Sequence, residues 1–239
     1  MKILFAALIL LCHFSAVAKA DDTSKLMVED PTEAPIGKLF DEDAYFHGEL
    51  PVNQFINVIV VNKAAIGETA QTLRFYSNRQ LVMTTKVSTG REDVEYVSPL
   101  ASFIRRFGRG ALHSHWRHTT RGYYTIKRVY GADYRSGENN FHMPYAMFFN
   151  DVHGLALHEV PPDLKGGEQA GIDALGHRAS SGCIRVNKDQ VIQIHDAVVA
   201  ADQGDIPVID TKTGLQTLDQ FGKPAFTNGY RSIVIVEEY

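Results

Sequence analysis

Short apolar runs separated by turn-forming residues recur along the chain from about residue 55 onward. Residues 57–61 form a nearly continuous β-branched run, and residues 72–76 alternate apolar with polar side chains. Ser77 and Asn78 then lead into a further run at 81–87, so the pattern predicts a β-hairpin.

The second half of the chain predicts more strands. Residues 119–130 have the pattern of a turn that leads into a strand, and 146–149 and 155–157 predict two buried strands joined by a short turn. Runs at 206–209 and 233–236 predict closing strands. The expected fold class is mainly β, a β-sandwich or barrel with one or two short helices.

Helical spacing is clearest late in the chain. Val191, Ile194 and Val198 lie on one face of a predicted helix over 188–201. Residues 98–107 could form a second, shorter helix.

The first 20 residues have the pattern of an export signal. Lys2 supplies the positive start, residues 3–11 are almost wholly apolar, and Ala18 and Ala20 frame a small-residue cleavage site. The apolar segment is too short to span a bilayer comfortably, and no later run approaches the length of a membrane helix. We expect export to the periplasm or cell envelope, with no transmembrane segment after signal removal; the alternative is a retained anchor.

Composition favours one folded domain. The chain has 239 residues, of which 44% are hydrophobic, enough to bury a core. We expect a polar leader at 21–50, a main domain at 51–210 with an insertion at about 92–118, and an extension at 211–239 packed on that domain. A formal net charge of −4 argues against a nucleic-acid partner, which requires a clustered basic face.

The cysteines direct attention to one position. Cys12 lies in the predicted signal, so the mature chain keeps only Cys183, which follows Ser180, Ser181 and Gly182. A lone thiol in an oxidising compartment cannot form an internal disulfide and is a candidate nucleophile. The alternative is a small buried residue with no chemical role.

A thiol nucleophile needs a base, because only a few per cent of an ordinary thiol is ionised at neutral pH. His158 ends the apolar run 154–158, which would mount its imidazole rigidly. His153 and His177 are the other candidates for this base.

The residues before Cys183 could support the same chemistry. Gly182 lets the backbone approach closely, so the amides of Gly182 and Cys183 could stabilise an oxyanion. Ser180 or Ser181 could orient the imidazole, or serve only as turn residues.

His113, His115 and His118 have a spacing that could in principle bind a metal. Arg117 and Arg121 flank them, and no carboxylate partner is evident in the segment. We therefore predict no metal here, and an exposed or rim loop.

Five segments together resemble the L,D-transpeptidase (YkuD-type) catalytic domain family. The segment 180–186, Ser-Ser-Gly-Cys-Ile-Arg-Val, resembles its cysteine signature, and 155–158, Leu-Ala-Leu-His, resembles the segment that carries its catalytic histidine. The other three are Val-Ser-Thr-Gly at 87–90, Thr-Thr-Arg-Gly-Tyr-Tyr-Thr-Ile at 119–126 and Met-Pro-Tyr-Ala-Met-Phe-Phe-Asn at 143–150. They occur in the family's order and cover roughly residues 55–210.

The chain also departs from the family pattern. Glu159 stands where a glycine usually follows the histidine, Thr120 replaces a proline, and Ser181 occupies the place of a second histidine. The loop from 158 to 180 and the segment before residue 119 are longer than usual.

The resemblance implies an exported cysteine acyltransferase that acts on peptidoglycan tetrapeptide stems. Cys183 would attack the carbonyl of the third residue, release the terminal D-alanine and hold a thioester. His158 would act as base, and an amine acceptor on a second stem or a wall-linked protein would complete a 3–3 cross-link or attachment. No cofactor is implied.

Three further residues are candidates for substrate contact, and two alternative functions remain. Arg185, Tyr145 and His177 are expected to contact the substrate. With water as acceptor the same site would be an L,D-carboxypeptidase or an amidase. A non-catalytic cell-wall-binding domain is the second alternative.

Overall fold

The computed structural model describes residues 32–95, 115–137 and 140–239. The predicted export signal, most of the insertion with its helix at 98–107, and His113 lie outside these ranges.

The described residues fold mainly as β-structure. The strands are β1 (Asn57–Asn62), β2 (Thr72–Ser77), β3 (Gln80–Ser88), β4 (Val94–Glu95), β5 (His115–Trp116), β6 (Gly122–Thr125), β7 (Arg128–Val129), β8 (Met147–Asn150), β9 (Leu155–Glu159), β10 (Ile184–Val186), β11 (Gln203–Pro207), β12 (Phe226–Tyr230) and β13 (Ser232–Glu237). The helices are α1 (Glu42–His47), a 3₁₀ turn (Pro51–Gln54), α2 (Gly167–Asp173) and α3 (Lys188–Ala200).

Nine strands form one sheet in the order β6-β13-β1-β2-β3-β10-β9-β8-β7, with β11-β12 and β4-β5 as separate pairs. β3 joins two halves of the large sheet, because it pairs with β2 along most of its length and with β10 only at Val87 and Ser88. The β1–β13 and β9–β10 pairs are parallel. The predicted mainly-β fold is confirmed.

The main core lies between the two halves of the sheet. It contains Ile59 and Val234 from one half, Leu157 and Ile184 from the other, and the apolar face of α3. Val191, Ile194 and Val198 are fully buried in it, so the predicted helix is confirmed. Burying such side chains stabilises the fold by about 1.5–3 kcal/mol each.

The predicted hairpin is confirmed, with Asn78 and Arg79 in the left-handed conformation (φ 49° and 61°) between β2 and β3. The predicted strand over 119–130 is two strands instead: β6 pairs with β13 and β7 pairs with β8, on opposite halves of the sheet.

Part of the expected leader belongs to the core. Phe40 and Tyr45 are buried against Val58 and Ile235 in a second apolar cluster on the outer face of β1 and β13. The Glu237 carboxylate also accepts hydrogen bonds from the amides of residues 39 and 40.

The expected extension at 211–239 is also integral to the fold. β13 lies between β6 and β1 near the middle of one half of the sheet, and its six residues are all buried. This part of the expected extension therefore shares a sheet with strands of the predicted domain at 51–210.

α2 was not expected, because residues 160–176 have the glycine- and proline-rich composition of a loop. Gly166 begins the helix in a left-handed conformation (φ 100°), and the buried Gly171 packs against Val160. Across the described ranges, no helix has the length and apolar character needed to cross a membrane.

Candidate active site

Cys183 lies directly before β10, on the side of the sheet that faces away from the main core. Ile184 and Val186 point into the main core, so Cys183 and Arg185 point the other way. Cys183 packs there against Ala156 and Phe148, which are opposite each other in β9 and β8.

Ser180 organises the turn that presents the thiol. Its Oγ donates a hydrogen bond to the Cys183 carbonyl oxygen over 2.5 Å and accepts a hydrogen bond from the Gly182 amide over 3.0 Å. The Gly182 amide is therefore engaged within the turn, which corrects the expectation that it points at an oxyanion. Ser180 orients the cysteine turn, not the imidazole.

Only glycine fits at position 182. Its φ is 127°, and an added Cβ would lie 2.9 Å from the His118 carbonyl oxygen and 3.0 Å from Leu155 Cδ2. L-residues rarely adopt this φ, so both the conformation and the space require glycine.

The Cys183 sulfur is half-buried and has two polar neighbours. The Ala156 amide donates to Sγ over 3.5 Å, and Sγ lies 3.9 Å from the Gly154 carbonyl oxygen. Burial raises the pKa of the Cys183 thiol, and the Ala156 amide and the Arg185 charge only partly oppose this effect. The resting thiol is therefore protonated at neutral pH.

His158 lies on β9, on the same face as Ala156 and Cys183. In the parallel β9–β10 pair it is directly opposite Arg185, one strand across and two residues along from Cys183. Its Nδ1 donates to the Glu159 carbonyl oxygen over 2.6 Å. A carbonyl oxygen can only accept, so Nδ1 carries the proton and Nε2 keeps its lone pair.

The imidazole of His158 is almost fully buried, at 3% exposure. Burial is the main cause that lowers the pKa of His158 to about 4; the Glu159 hydrogen bond opposes this shift, and the nearby Arg185 charge adds to it. The resting pair is thus a neutral thiol with a neutral imidazole, and this imidazole can accept a proton during attack.

Arg185 supplies positive charge beside the pair. Its guanidinium donates to the Ala179 carbonyl oxygen over 3.3 Å and interacts electrostatically with both Cys183 and His158. Burial lowers the pKa of Arg185, but an arginine remains charged.

The other predicted site residues differ in exposure and packing. His177 and Ser181 are exposed, and Tyr145 packs on the main core with its ring edge-on to His195 at 5.3 Å. His153 lies in the exposed turn between β8 and β9 and lines a cavity of about 430 Å³ with Phe149, whose side chain packs in the main core.

Sequence reasoning missed an aromatic wall beside Cys183. Tyr130 and Tyr134 stack at 4.0 Å, and both pack with Phe148 in the cluster that contains Cys183. Burial raises the pKa of Tyr134, and the neighbouring Tyr130 side chain adds to this effect. The polar residues 135–140, which follow Tyr134 directly, did not indicate that these aromatic rings pack in the same cluster as Cys183.

The expectation for His118 was wrong. The residue is buried, not on an exposed or rim loop, and its two ring nitrogens contact the carboxylates of Glu33 and Glu92. Trp116 stacks on the imidazole at 3.8 Å. Within the three described ranges, no group of three or more His, Cys, Asp or Glu side chains is placed to hold a metal ion.

A thiol directly before β10 and a neutral imidazole on the adjacent strand β9 define a candidate cysteine-dependent active site. The sequence model of the L,D-transpeptidase catalytic domain (YkuD) matches residues 56–209. The chain therefore belongs to the L,D-transpeptidase catalytic domain family.

Two solved L,D-transpeptidase structures are similar to this chain. An L,D-transpeptidase from Mycobacterium tuberculosis H37Rv has 17% identity and a TM-score of 0.43 over 77% of this chain and 58% of its own. One from Xylanimonas cellulosilytica DSM 15894 has 14% identity and a TM-score of 0.42 over 75% of this chain and 59% of its own. The chain thus spans about three fifths of the length of these two structures. Comparison with curated protein sequences gave no match.

Proposed function

We propose that this protein is an exported L,D-transpeptidase, a cysteine acyltransferase that acts on peptidoglycan tetrapeptide stems. The observation that carries the proposal is the placement of Cys183 and His158 on one face of adjacent parallel strands, with the imidazole Nδ1 tied to the backbone. Membership of the family supports the substrate class. The pattern of residues 1–20 supports export.

In the first half-reaction, Cys183 Sγ attacks the carbonyl carbon of the third stem residue while His158 Nε2 takes the thiol proton. The resulting imidazolium returns this proton to the nitrogen of D-alanine as the carbon–nitrogen bond breaks. The enzyme is left with a thioester on Cys183 and a neutral His158.

In the second half-reaction, an amine acceptor attacks the thioester carbonyl. His158 Nε2 removes a proton from the attacking amine and returns it to sulfur as the carbon–sulfur bond breaks. The product is an amide, which is a 3–3 cross-link when the amine belongs to a second stem.

The electrostatics of the pair favour proton transfer during attack over a resting ion pair. Burial opposes charge on both Cys183 and His158, so neither group ionises alone at neutral pH. Arg185 lies where its charge can stabilise the negative charge that develops on sulfur and on the carbonyl oxygen.

The aromatic wall supports transfer over hydrolysis. Tyr130 and Tyr134 pack against the same apolar cluster as Cys183, and this apolar surface would limit the access of water to a thioester. The Glu159 side chain does not add a base at the thiol, because it points from β9 to the side opposite His158.

The test is product analysis by mass spectrometry after incubation of the purified protein with disaccharide-tetrapeptide, beside Cys183→Ala. Dimers that lack one D-alanine, formed only by the wild type, are expected. Tripeptide monomers without dimers would establish the hydrolase alternative. Binding of the tetrapeptide without any product would establish the non-catalytic alternative.

A further inference from the structure

We infer that Thr119 is a positioning residue that fixes the Cys183 amide as a donor to the oxyanion. The inference rests on acyl transfer at Cys183 and adds a residue that acts through the backbone. The Thr119 hydroxyl is buried and contacts the turn that precedes Cys183.

The Thr119 hydroxyl joins two main-chain groups. Its Oγ1 donates to the Gly182 carbonyl oxygen over 2.6 Å and accepts the Gly90 amide over 2.8 Å, and the residue is fully buried. The hydroxyl thereby uses its single donor and one of its acceptor lone pairs.

The bonded carbonyl belongs to the same peptide unit as the Cys183 amide. This peptide is trans and planar, so its C=O and N–H point in opposite directions. Holding the Gly182 oxygen on Thr119 therefore sets the direction of the Cys183 N–H. An amide next to the attacking sulfur lies where the oxyanion of a tetrahedral intermediate forms.

The same turn is held from its other side by Ser180, which binds the Gly182 amide and the Cys183 carbonyl oxygen. Thr119 holds the one carbonyl between these two groups. Three segments that are distant in sequence, 87–90, 119–126 and 180–186, thus meet at one hydroxyl.

Close approach at this hydroxyl depends on two glycines. A Cβ on Gly90 would lie 2.5 Å from the Arg117 carbonyl oxygen and 2.9 Å from the Thr119 amide nitrogen. Gly182 is equally constrained by the His118 carbonyl oxygen. The backbone around Thr119 is therefore packed too tightly for the hydroxyl to shift.

Buried charged side chains also hold the Thr119 backbone in place. Lys63 is fully buried, donates to the Thr119 carbonyl oxygen over 2.7 Å and pairs with Glu92 over 2.9 Å. Glu92 also accepts the Thr119 amide over 3.3 Å. Such buried ionic groups cost desolvation energy, so their contribution here is the fixed geometry rather than net stability.

The test compares Thr119→Val, which removes the hydroxyl at nearly constant shape, with Thr119→Ser, which keeps it. Acylation of Cys183 by p-nitrophenyl acetate passes through an oxyanion, whereas alkylation by iodoacetamide does not. Loss of an oxyanion donor costs about 100- to 1,000-fold, so partial misorientation should lower the acylation rate of Thr119→Val about 10- to 100-fold. Its alkylation rate should stay within about threefold of wild type, and Thr119→Ser should stay close to wild type in both reactions.

Several outcomes would overturn the inference: equal acylation by Thr119→Val and wild type, a parallel fall of both reactions, or equal losses in the Val and Ser variants. A wild-type thiol that alkylates but resists the ester would overturn it as well. If Thr119→Val does not fold, as judged by circular dichroism, Thr119→Ala takes its place. Tetrapeptide products are read separately, so ester acylation without tetrapeptide products would overturn only the proposed function.

Discussion

His158 Nδ1 donates to the main-chain oxygen of the next residue, Glu159, over 2.6 Å, and this bond decides which ring nitrogen can act as a base. The residue at 159 contributes only its carbonyl oxygen, which any amino acid supplies. The departure from the family's usual glycine therefore leaves the orientation of the imidazole intact.

The rate of acylation should fall only in strong acid. The active form needs a neutral His158, and burial lowers the pKa of His158 to about 4. Protonation therefore removes the base only as pH falls through about 4, and kcat/KM should be nearly flat from about pH 5 to pH 8. A pH profile with p-nitrophenyl acetate tests this, and an acid limb near the ordinary histidine pKa of about 6.5 would contradict it.

Replacing Arg185 by glutamine should slow alkylation of Cys183. The Arg185 charge lowers the pKa of the Cys183 thiol against the larger effect of burial, so its loss leaves less thiolate at a given pH. We expect the iodoacetamide rate at pH 8 to fall about three- to tenfold, because the thiolate is the form that is alkylated.

The matched control is Arg231→Gln, because Arg231 is exposed in the turn between β12 and β13. It should alkylate at the wild-type rate. Equal rates for wild type and Arg185→Gln would show that the guanidinium does not act on the sulfur.

Gly182→Ala should destabilise the protein. The added methyl group would approach the His118 carbonyl oxygen to 2.9 Å in a backbone conformation with φ 127°. Strain of this kind costs about 1–3 kcal/mol, so the urea midpoint should fall. Gly204→Ala is the control, since a Cβ there has no neighbour within 4 Å. A midpoint unchanged in Gly182→Ala would refute the assigned constraint.

The sequence predicted those structural features that depend on residues close together along the chain. Short apolar runs located β8 and β9, and His158 stands near the end of β9. The central position of β13 was not predictable, because its parallel pairing with β1 joins residues about 175 positions apart, such as Asn57 and Ser232. No local pattern specifies such a partner.

The same limit explains the roles that were missed. Thr119 reads as an ordinary turn residue, and its contact with Gly182 spans 63 positions. His118 was judged by its flanking arginines, whereas one of its carboxylate partners, Glu33, lies 85 positions away. Burial and charge at these positions follow from the fold, which brings the segments together.

His118→Gln should lower stability more in weak acid than in alkali. Burial alone would lower the pKa of His118, but the hydrogen bonds that the imidazole donates to the Glu33 and Glu92 carboxylates outweigh burial and raise the pKa. A raised folded-state pKa means that the stabilisation is complete below the unfolded value of about 6.5 and is lost as pH rises through the folded value. Removal of a buried charged partner costs about 3–5 kcal/mol, so the urea midpoint at pH 6 should drop clearly. The loss should be smaller at pH 9.

The control for this variant is His47→Gln, because His47 is exposed at the end of α1. It should show little change at either pH. Equal losses for His118→Gln at pH 6 and pH 9 would mean that His118 is neutral in the folded protein. A neutral imidazole has only one N–H, so one of the two carboxylates, Glu33 or Glu92, would then have to be protonated to donate to the other ring nitrogen.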